Sequence, residues 1–172
     1  NLIAANWKMN KTIQEAVSTA KELKKLVKNV KNAEVVVCPP FTALEAVGKE
    51  LKRSGIKLGA QNMHFEDSGA YTGDISPLML KDAGCEYVIL GHSERREFFK
   101  EDDELINNKV IAALKHSLSP ILCVGENFEQ RSDGKAKGVV ESQLRNCLKS
   151  ISKSQMAKVS IAYEPVWAIS RG

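Results

Sequence analysis

Three side chains that could cooperate in a proton transfer lie far apart in the sequence: Lys8, His92 and Glu164. A glutamate can take a proton, an imidazole can donate one to a carbonyl oxygen, and a lysine can hold an anionic substrate as a point charge. This is the set of groups needed to move a proton next to the carbonyl of a phosphorylated substrate. Taken singly, each also has a structural interpretation, as a solvated lysine, a core histidine and a strand-end carboxylate.

Six short apolar runs predict the strands that must position these groups, and segments with helical periodicity separate most of the runs. The predicted strands are residues 2–5, 35–38, 56–60, 87–90, 121–124 and 159–163. Runs such as VVVC and YVIL are apolar throughout, which is typical of strands covered on both faces in a parallel sheet. The sequence therefore predicts an α/β fold.

Polar residues follow nearly every predicted strand, and this distribution favours a closed barrel over an open sheet. A doubly wound sheet would gather its site at one switch point, with a glycine fingerprint after the first strand, but AANWKMNKT contains no G-x-G-x-x-G. We therefore predict one (β/α) barrel domain over residues 1–172. The residues after the predicted strands are Asn6, Lys8, Gln61, Asn62, His92, Glu126 and Glu164.

Local signals refine this prediction. Ser93 opens a predicted helix, whose N-terminus would keep the neighbouring imidazole of His92 neutral. Glu164 precedes a proline, which favours an extended backbone at the strand end. The segments Thr12 to Glu15 and Thr42 to Glu45 both match the capping box that starts a helix.

Composition argues against several classes of function. The net charge of +4 is mild, so we expect no nucleic-acid partner, and no apolar run reaches the roughly 18 residues needed to cross a membrane. Four cysteines, widely spaced and without a C-x-x-C pair, predict buried thiols rather than a zinc or redox site. We expect no metal or cofactor, and a cytoplasmic location, because the first residues lack the pattern of a signal peptide.

Motifs along the whole chain resemble the triosephosphate isomerase family. They include ANWKMNKT, VVVCPPFTAL, EYVILGHSERREFF, PILCVGE and AYEPVWAI. The resemblance implies a (β/α)8 TIM barrel that interconverts D-glyceraldehyde 3-phosphate and dihydroxyacetone phosphate in glycolysis and gluconeogenesis, without metal or cofactor. It also implies that this chain covers strands 1 to 6 of the barrel and is incomplete at its C-terminus.

The same resemblance implies roles for individual residues. Glu164 would be the base, and His92 the neutral electrophile that polarises the carbonyl. Lys8 and Asn6 would contact the substrate, and Glu94 would brace the site beside Lys8. Each of these expectations rests on the match of the surrounding motif.

Two further segments acquire an expected role in this way. The PVW motif resembles the first hinge of a closing lid, in which the backbone N–H of Ser170 would donate to the substrate phosphate; Ser170-Arg171-Gly172 stands where the family usually has Gly-Thr-Gly. The loop of residues 63–76 resembles the family's dimerisation loop, in which Thr72 would reach the active site of a second copy. An alternative for a six-strand chain is a catalytically inactive partial barrel, or a phosphosugar-binding module that needs a complementary fragment.

Overall fold

The structure, a computed structural model, describes residues 1–169. Its six strands are all parallel, and each pairs with the next one along the chain. They are β1 (Leu2–Asn6), β2 (Glu34–Cys38), β3 (Lys57–Ala60), β4 (Tyr87–Leu90), β5 (Ser119–Val124) and β6 (Ser160–Tyr163). All six predicted strands are confirmed, with ends that differ by at most two residues.

Helices connect successive strands. They are α1 (Ile13–Leu26), α2 (Leu44–Leu51), α3 (Pro77–Asp82), α4 (Ser93–Phe98), α5 (Asp103–Lys115), α6 (Phe128–Ser132), α7 (Ala136–Cys147) and α8 (Lys153–Met156). Short 3-10 turns precede α2 and follow β6, at Phe41–Ala43 and Val166–Ala168. A doubly wound sheet would reverse its strand order at a switch point, whereas this order runs straight from β1 to β6. The chain thus forms strands 1 to 6 of a (β/α) barrel, as predicted.

The four inner strands, β2 to β5, are buried on both faces along most of their length, which explains their continuous apolar runs. Val37 packs into the larger core between the sheet and the helices, while its neighbour Val36 packs into a second cluster on the inner face. Successive side chains of a strand point to opposite faces, so a run of valines is needed when both faces are covered. The four cysteines are buried and unpaired, as predicted.

One of the two predicted capping boxes is confirmed and the other is wrong. The side chain of Thr12 caps α1, and Glu15 reaches back to the backbone N–H of Thr12 at 2.7 Å. Thr42 instead lies inside the 3-10 turn, and α2 begins at Leu44 without a side-chain cap. The carboxylate of Glu45 pairs with Lys49 one turn further along.

Among residues 1–169, no helix has both the length and the apolar character that a membrane span requires.

Candidate active site

The carboxyl ends of β1, β4 and β6 bring together the three residues that the sequence singled out. Lys8 follows β1, His92 follows β4 and Glu164 follows β6 directly. In parallel β/α sheets this edge carries the binding and catalytic groups, because the loops that leave it are free to vary. Contacts among the three side chains and Glu94 join them into one site.

His92 is held at the N-terminus of α4, which begins at Ser93 as predicted. The residue is buried, at 6 % exposed, and Nδ1 of its imidazole accepts a hydrogen bond of 3.2 Å from the backbone N–H of Glu94. A ring nitrogen that accepts carries no proton, so the neutral ring has its proton on Nε2. Nε2 lies 3.3 Å from Oε1 of Glu164. The imidazole therefore offers an N–H donor beside a carboxylate.

Glu164 follows directly after the last residue of β6. Its backbone N–H donates to Val124 O at 2.7 Å, so strand pairing carries on to the residue before Pro165. Oε2 of its side chain accepts from the backbone N–H of Ser93 at 3.2 Å, at the first turn of α4. This hydrogen bond fixes the Glu164 carboxylate at the N-terminal end of α4.

The sulfur of Cys123 lies next to this carboxylate. Burial raises the pKa of the Cys123 thiol well above its usual range, and the negative charge of Glu164 raises it further. The protonated thiol therefore adds no negative charge beside Glu164.

Lys8 has an unusual backbone conformation, with φ at +52°. This left-handed region costs residues other than glycine roughly 1 kcal/mol. The backbone N–H of Lys8 donates to Asn6 Oδ1 at 3.0 Å, and Nζ donates to Glu94 Oε1 at 2.8 Å. Glu94 thus contacts His92 through its backbone and Lys8 through its carboxylate.

The geometry places a carboxylate, a neutral N–H donor and an ammonium group at one end of the sheet. Proton abstraction next to a carbonyl needs a base and a donor to the oxygen that gains charge, and the ammonium suits an anionic substrate. A family model described as triosephosphate isomerase matches residues 1–172 of the chain. The chain belongs to the triosephosphate isomerase family.

Individual relatives agree with this assignment. The chain is 57% identical over 171 residues to the triosephosphate isomerase of Clostridium botulinum strain Loch Maree, a match that covers 99% of this chain and 68% of the relative. The triosephosphate isomerase of Caldanaerobacter subterraneus subsp. tengcongensis is also 57% identical, with the same coverage. A crystal structure of the Bartonella henselae triosephosphate isomerase superposes with a TM-score of 0.87 at 41% identity, covering 96% of this chain and 68% of that one.

The other residues that the triosephosphate isomerase motifs singled out lie in different surroundings. The Asn6 side chain accepts a hydrogen bond from the backbone N–H of Lys8. Its expected contact with the substrate stays a prediction. Thr72 is exposed in the loop of residues 63–76, in a tight turn closed by the N–H of Asp74 on Tyr71 O at 3.0 Å. Ser170 lies outside the described residues.

The turn after Pro165, which the sequence assigned to a lid hinge, is tied to Glu126 at the end of β5. The Glu126 side chain is fully buried and accepts hydrogen bonds from the Tyr163 hydroxyl at 3.0 Å and the Trp167 indole at 2.9 Å. Burial acts to raise the pKa of Glu126, but the hydrogen bonds that its carboxylate accepts and the nearby charge of Arg131 together outweigh it, so the pKa is lowered from its ordinary value. Sequence reasoning placed Glu126 at a strand end without assigning it a partner. Glu126 and Tyr163 are 37 positions apart in the sequence, so their contact could not be read from local spacing.

Gly125 is a residue of the site that sequence reasoning missed. A Cβ at this position would lie 1.8 Å from the backbone oxygen of Glu164, so no side chain fits. Its place in the motif PILCVGE was the available signal, yet a strand-end glycine has many possible causes. Gly125 lets the end of β6 approach β5 closely enough for Glu164 to reach the site.

Proposed function

We propose that this chain interconverts D-glyceraldehyde 3-phosphate and dihydroxyacetone phosphate, the reaction of its family, by proton transfer through an enediolate. The observation that carries the proposal is the distance of 3.3 Å between His92 Nε2 and Glu164 Oε1, with Nδ1 of the same ring occupied by the N–H of Glu94. A base and a neutral donor this close can act on adjacent atoms of one small substrate.

The proposed steps conserve atoms and charge. The carboxylate of Glu164 takes a proton from the carbon next to the carbonyl, and the electron pair moves onto the carbonyl oxygen. The Nε2–H of His92 donates a hydrogen bond to that oxygen as it becomes negative. The hydroxyl on the first carbon then passes its proton to the negative oxygen by way of the His92 imidazole, which gives its Nε2 proton to one oxygen and takes one from the other. Glu164 returns its proton to the former carbonyl carbon, and the first carbon becomes the new carbonyl. The carbonyl has moved by one carbon without net oxidation, so no redox cofactor is required.

Substrate binding is assigned to the cation and its neighbours. The ammonium group of Lys8 would attract the phosphorylated substrate, with Asn6 beside it and Glu94 bracing both Lys8 and His92. The N–H of Ser170 would donate to the phosphate. Lid closure over the site would exclude water from the enediolate. The 3-10 turn at Val166–Ala168 is the start of that proposed lid.

Replacing the base tests this function directly. In Glu164→Gln the amide oxygen can still accept from the Ser93 N–H, so the site keeps its shape while the base is lost. We expect kcat to fall by about 10²–10⁴-fold, with little change in the affinity for dihydroxyacetone phosphate. Glu22→Gln, on the exposed side of α1, is the matched control and should leave turnover unchanged. Wild-type turnover no faster than that of Glu164→Gln would rule out the enzyme function for this chain.

Assembly and location complete the proposal. The chain would act as one domain and form a homodimer through the loop of residues 63–76, whose Tyr71 and Thr72 are exposed. Sedimentation equilibrium should then give twice the 18.9 kDa of one chain, and Thr72→Arg should shift the mass towards the monomer. A monomer at all concentrations would refute the dimer. A cytoplasmic location follows from the proposed role in glycolysis, and cell fractionation can test it.

A further inference from the structure

Both peptide groups of Gly125 are held by one side chain from outside the sheet. The backbone N–H of Gly125 donates to Oε1 of Gln143 at 2.8 Å, and the Gly125 carbonyl accepts from Nε2 of the same amide at 3.2 Å. Gln143 lies on α7, 18 positions further along the chain, and its side chain is half-buried. A planar amide carries a donor and an acceptor side by side, so it can bond the N–H and the carbonyl of one residue together.

The amide takes the place that a neighbouring strand fills elsewhere along β5. The last paired residue of β4, Leu90, lies opposite Leu122 of β5. The chain then turns and begins α4 at Ser93, so β4 ends before it reaches the level of Gly125. Gln143 supplies the hydrogen-bond partners on this side of the end of β5.

The opposite side of the same segment carries the end of β6 and the turn that follows it. Val124 O accepts from the N–H of Glu164 at 2.7 Å, and Glu126 O accepts from the N–H of Val166 at 3.1 Å. Between these two bonds, Gly125 lies so close to the Glu164 backbone that a Cβ would meet its oxygen at 1.8 Å. The end of β5 therefore lies between α7 and the residues that carry the base and the start of the proposed lid.

Without the Gln143 amide, the peptide groups of Gly125 would lose these partners, and the backbone between Gly125 and Glu126 could rotate. The Glu126 carboxylate, which accepts from the Trp167 indole at 2.9 Å, would move with that backbone. Glu164 rests against the same backbone. A displacement of about 1 Å at a reacting group can cost about 10²-fold in rate.

We propose that Gln143 is a positioning residue, which fixes the backbone of Gly125 so that the Glu164 base and the turn after Pro165 keep their places. The proposal rests on the proposed function, since it depends on the role of Glu164 as the base. The base acts in the transition state, whereas the Lys8 ammonium attracts the substrate in its ground state as well. Loss of Gln143 should therefore lower kcat more than it raises KM.

Two substitutions separate the hydrogen bonds from the bulk of the side chain. Gln143→Met keeps the length and removes both hydrogen bonds. Gln143→Glu keeps the acceptor for the Gly125 N–H but, when ionised, places its second oxygen against the Gly125 carbonyl. We expect kcat with dihydroxyacetone phosphate to fall about 10–100-fold in both variants at about pH 8, with less than about a 3-fold change in KM.

The pH dependence of Gln143→Glu distinguishes positioning from general destabilisation of α7. A protonated carboxyl group has one acceptor oxygen and one O–H donor, so it can replace the amide at Gly125. The ratio of the kcat of this variant to the wild-type kcat should rise as the pH falls towards the pKa of the introduced carboxyl group, which is about 4.3 in water and is raised by partial burial. For Gln143→Met the same ratio should not depend on pH.

A spectroscopic signal follows the turn independently of turnover. The chain has two tryptophans, Trp7 and Trp167, so protein labelled with fluorotryptophan gives two fluorine NMR resonances, which Trp7→Phe assigns. The Trp167 resonance should shift in Gln143→Met, because the acceptor on Glu126 is no longer fixed. Gln155→Glu is the matched control; position 155 closes the capping box of α8, where glutamate serves equally well, so neither kcat nor this resonance should change.

Each outcome bears on one proposal. A wild-type kcat in Gln143→Met, an unshifted Trp167 resonance in that variant, or a kcat ratio of Gln143→Glu that does not depend on pH would overturn the role of Gln143. A wild-type chain that neither binds nor converts dihydroxyacetone phosphate would overturn the proposed function instead, and the Trp167 resonance then still decides whether Gln143 fixes the turn. If Gln143→Met does not fold, the pH dependence of Gln143→Glu carries the test.

Discussion

At the scale of single residues, Gly125 and Gly138 differ in whether the surrounding structure leaves space for a Cβ atom. At Gly125 a Cβ would meet the backbone oxygen of Glu164 at 1.8 Å, and backbone atoms cannot swing aside as the end of a flexible side chain can. At Gly138, in the first turn of α7, nothing lies within 4 Å of the added Cβ. The first glycine is required by the close approach of β5 and the end of β6, and the second is not required by packing.

Gly125→Ala should therefore lower the free energy of unfolding by about 3 kcal/mol or more, since it forces Glu164 away from its position. Turnover should fall with it. Gly138→Ala is the control and should raise the free energy of unfolding by about 0.5 kcal/mol, because it lowers the entropy of the unfolded chain. Urea unfolding measures both values. Equal stability of Gly125→Ala and wild type would contradict the packing described for Glu164.

At the scale of elements, two similar sequence motifs have different structures. Thr12 and Glu15 form a reciprocal capping box at α1. Thr42 and Glu45 have the same spacing, but the chain leaves β2 through Pro39 and Pro40 into a 3-10 turn that takes up Thr42. Local spacing defines which side chains could cap, while the route of the chain from the sheet decides where the helix starts.

Thr12→Ala should cost about 1 kcal/mol in the free energy of unfolding, because a first-turn N–H of α1 loses its acceptor. Thr42→Ala should change it by less than about 0.5 kcal/mol, since that exposed side chain caps no helix. Denaturant titration of the two variants beside the wild type gives the comparison. Equal costs for the two alanines would mean that Thr42 caps α2 after all.

At the scale of the whole molecule, the core buries four cysteine thiols, which ionise more readily in the unfolded chain than in the folded protein. Burial raises the pKa of Cys38, Cys85 and Cys147 to about 12, and it raises that of Cys123 well above its usual range. In the unfolded chain a thiol ionises near pH 8.5. Below about pH 8.5 the thiols keep their protons in both the folded and the unfolded state. Between about pH 8.5 and 12 only the unfolded state loses them.

Stability should therefore fall as the pH rises above about 8.5, with up to about 1.4 kcal/mol lost per pH unit for each buried thiol. Urea unfolding at pH 8, 9, 10 and 11 measures the slope. Cys38→Ala should make this slope shallower by the contribution of one buried thiol. A free energy of unfolding that is constant over this range would show that the thiols are accessible to solvent in the folded protein.

Much of the fold and part of the site followed from the sequence by itself. Apolar runs and their helical spacers are repeated over short distances, so they determined six strands, their parallel order and the polar residues at their ends. Lys8, His92 and Glu164 could be assembled in advance for that reason, because the ends of parallel strands share one edge. The family motifs supplied the reaction that these residues could serve.

Only the tertiary structure decided which atoms meet across that edge. The backbone N–H and carbonyl held by Gln143, the hydroxyl and indole around Glu126, and the backbone oxygen that excludes a side chain at Gly125 all belong to other elements of the sheet. Sequence spacing reports periodicity within one element, but such contacts depend on how closely neighbouring strand ends approach and how each loop leaves them. Those distances are set by the packing of the whole sheet against its helices.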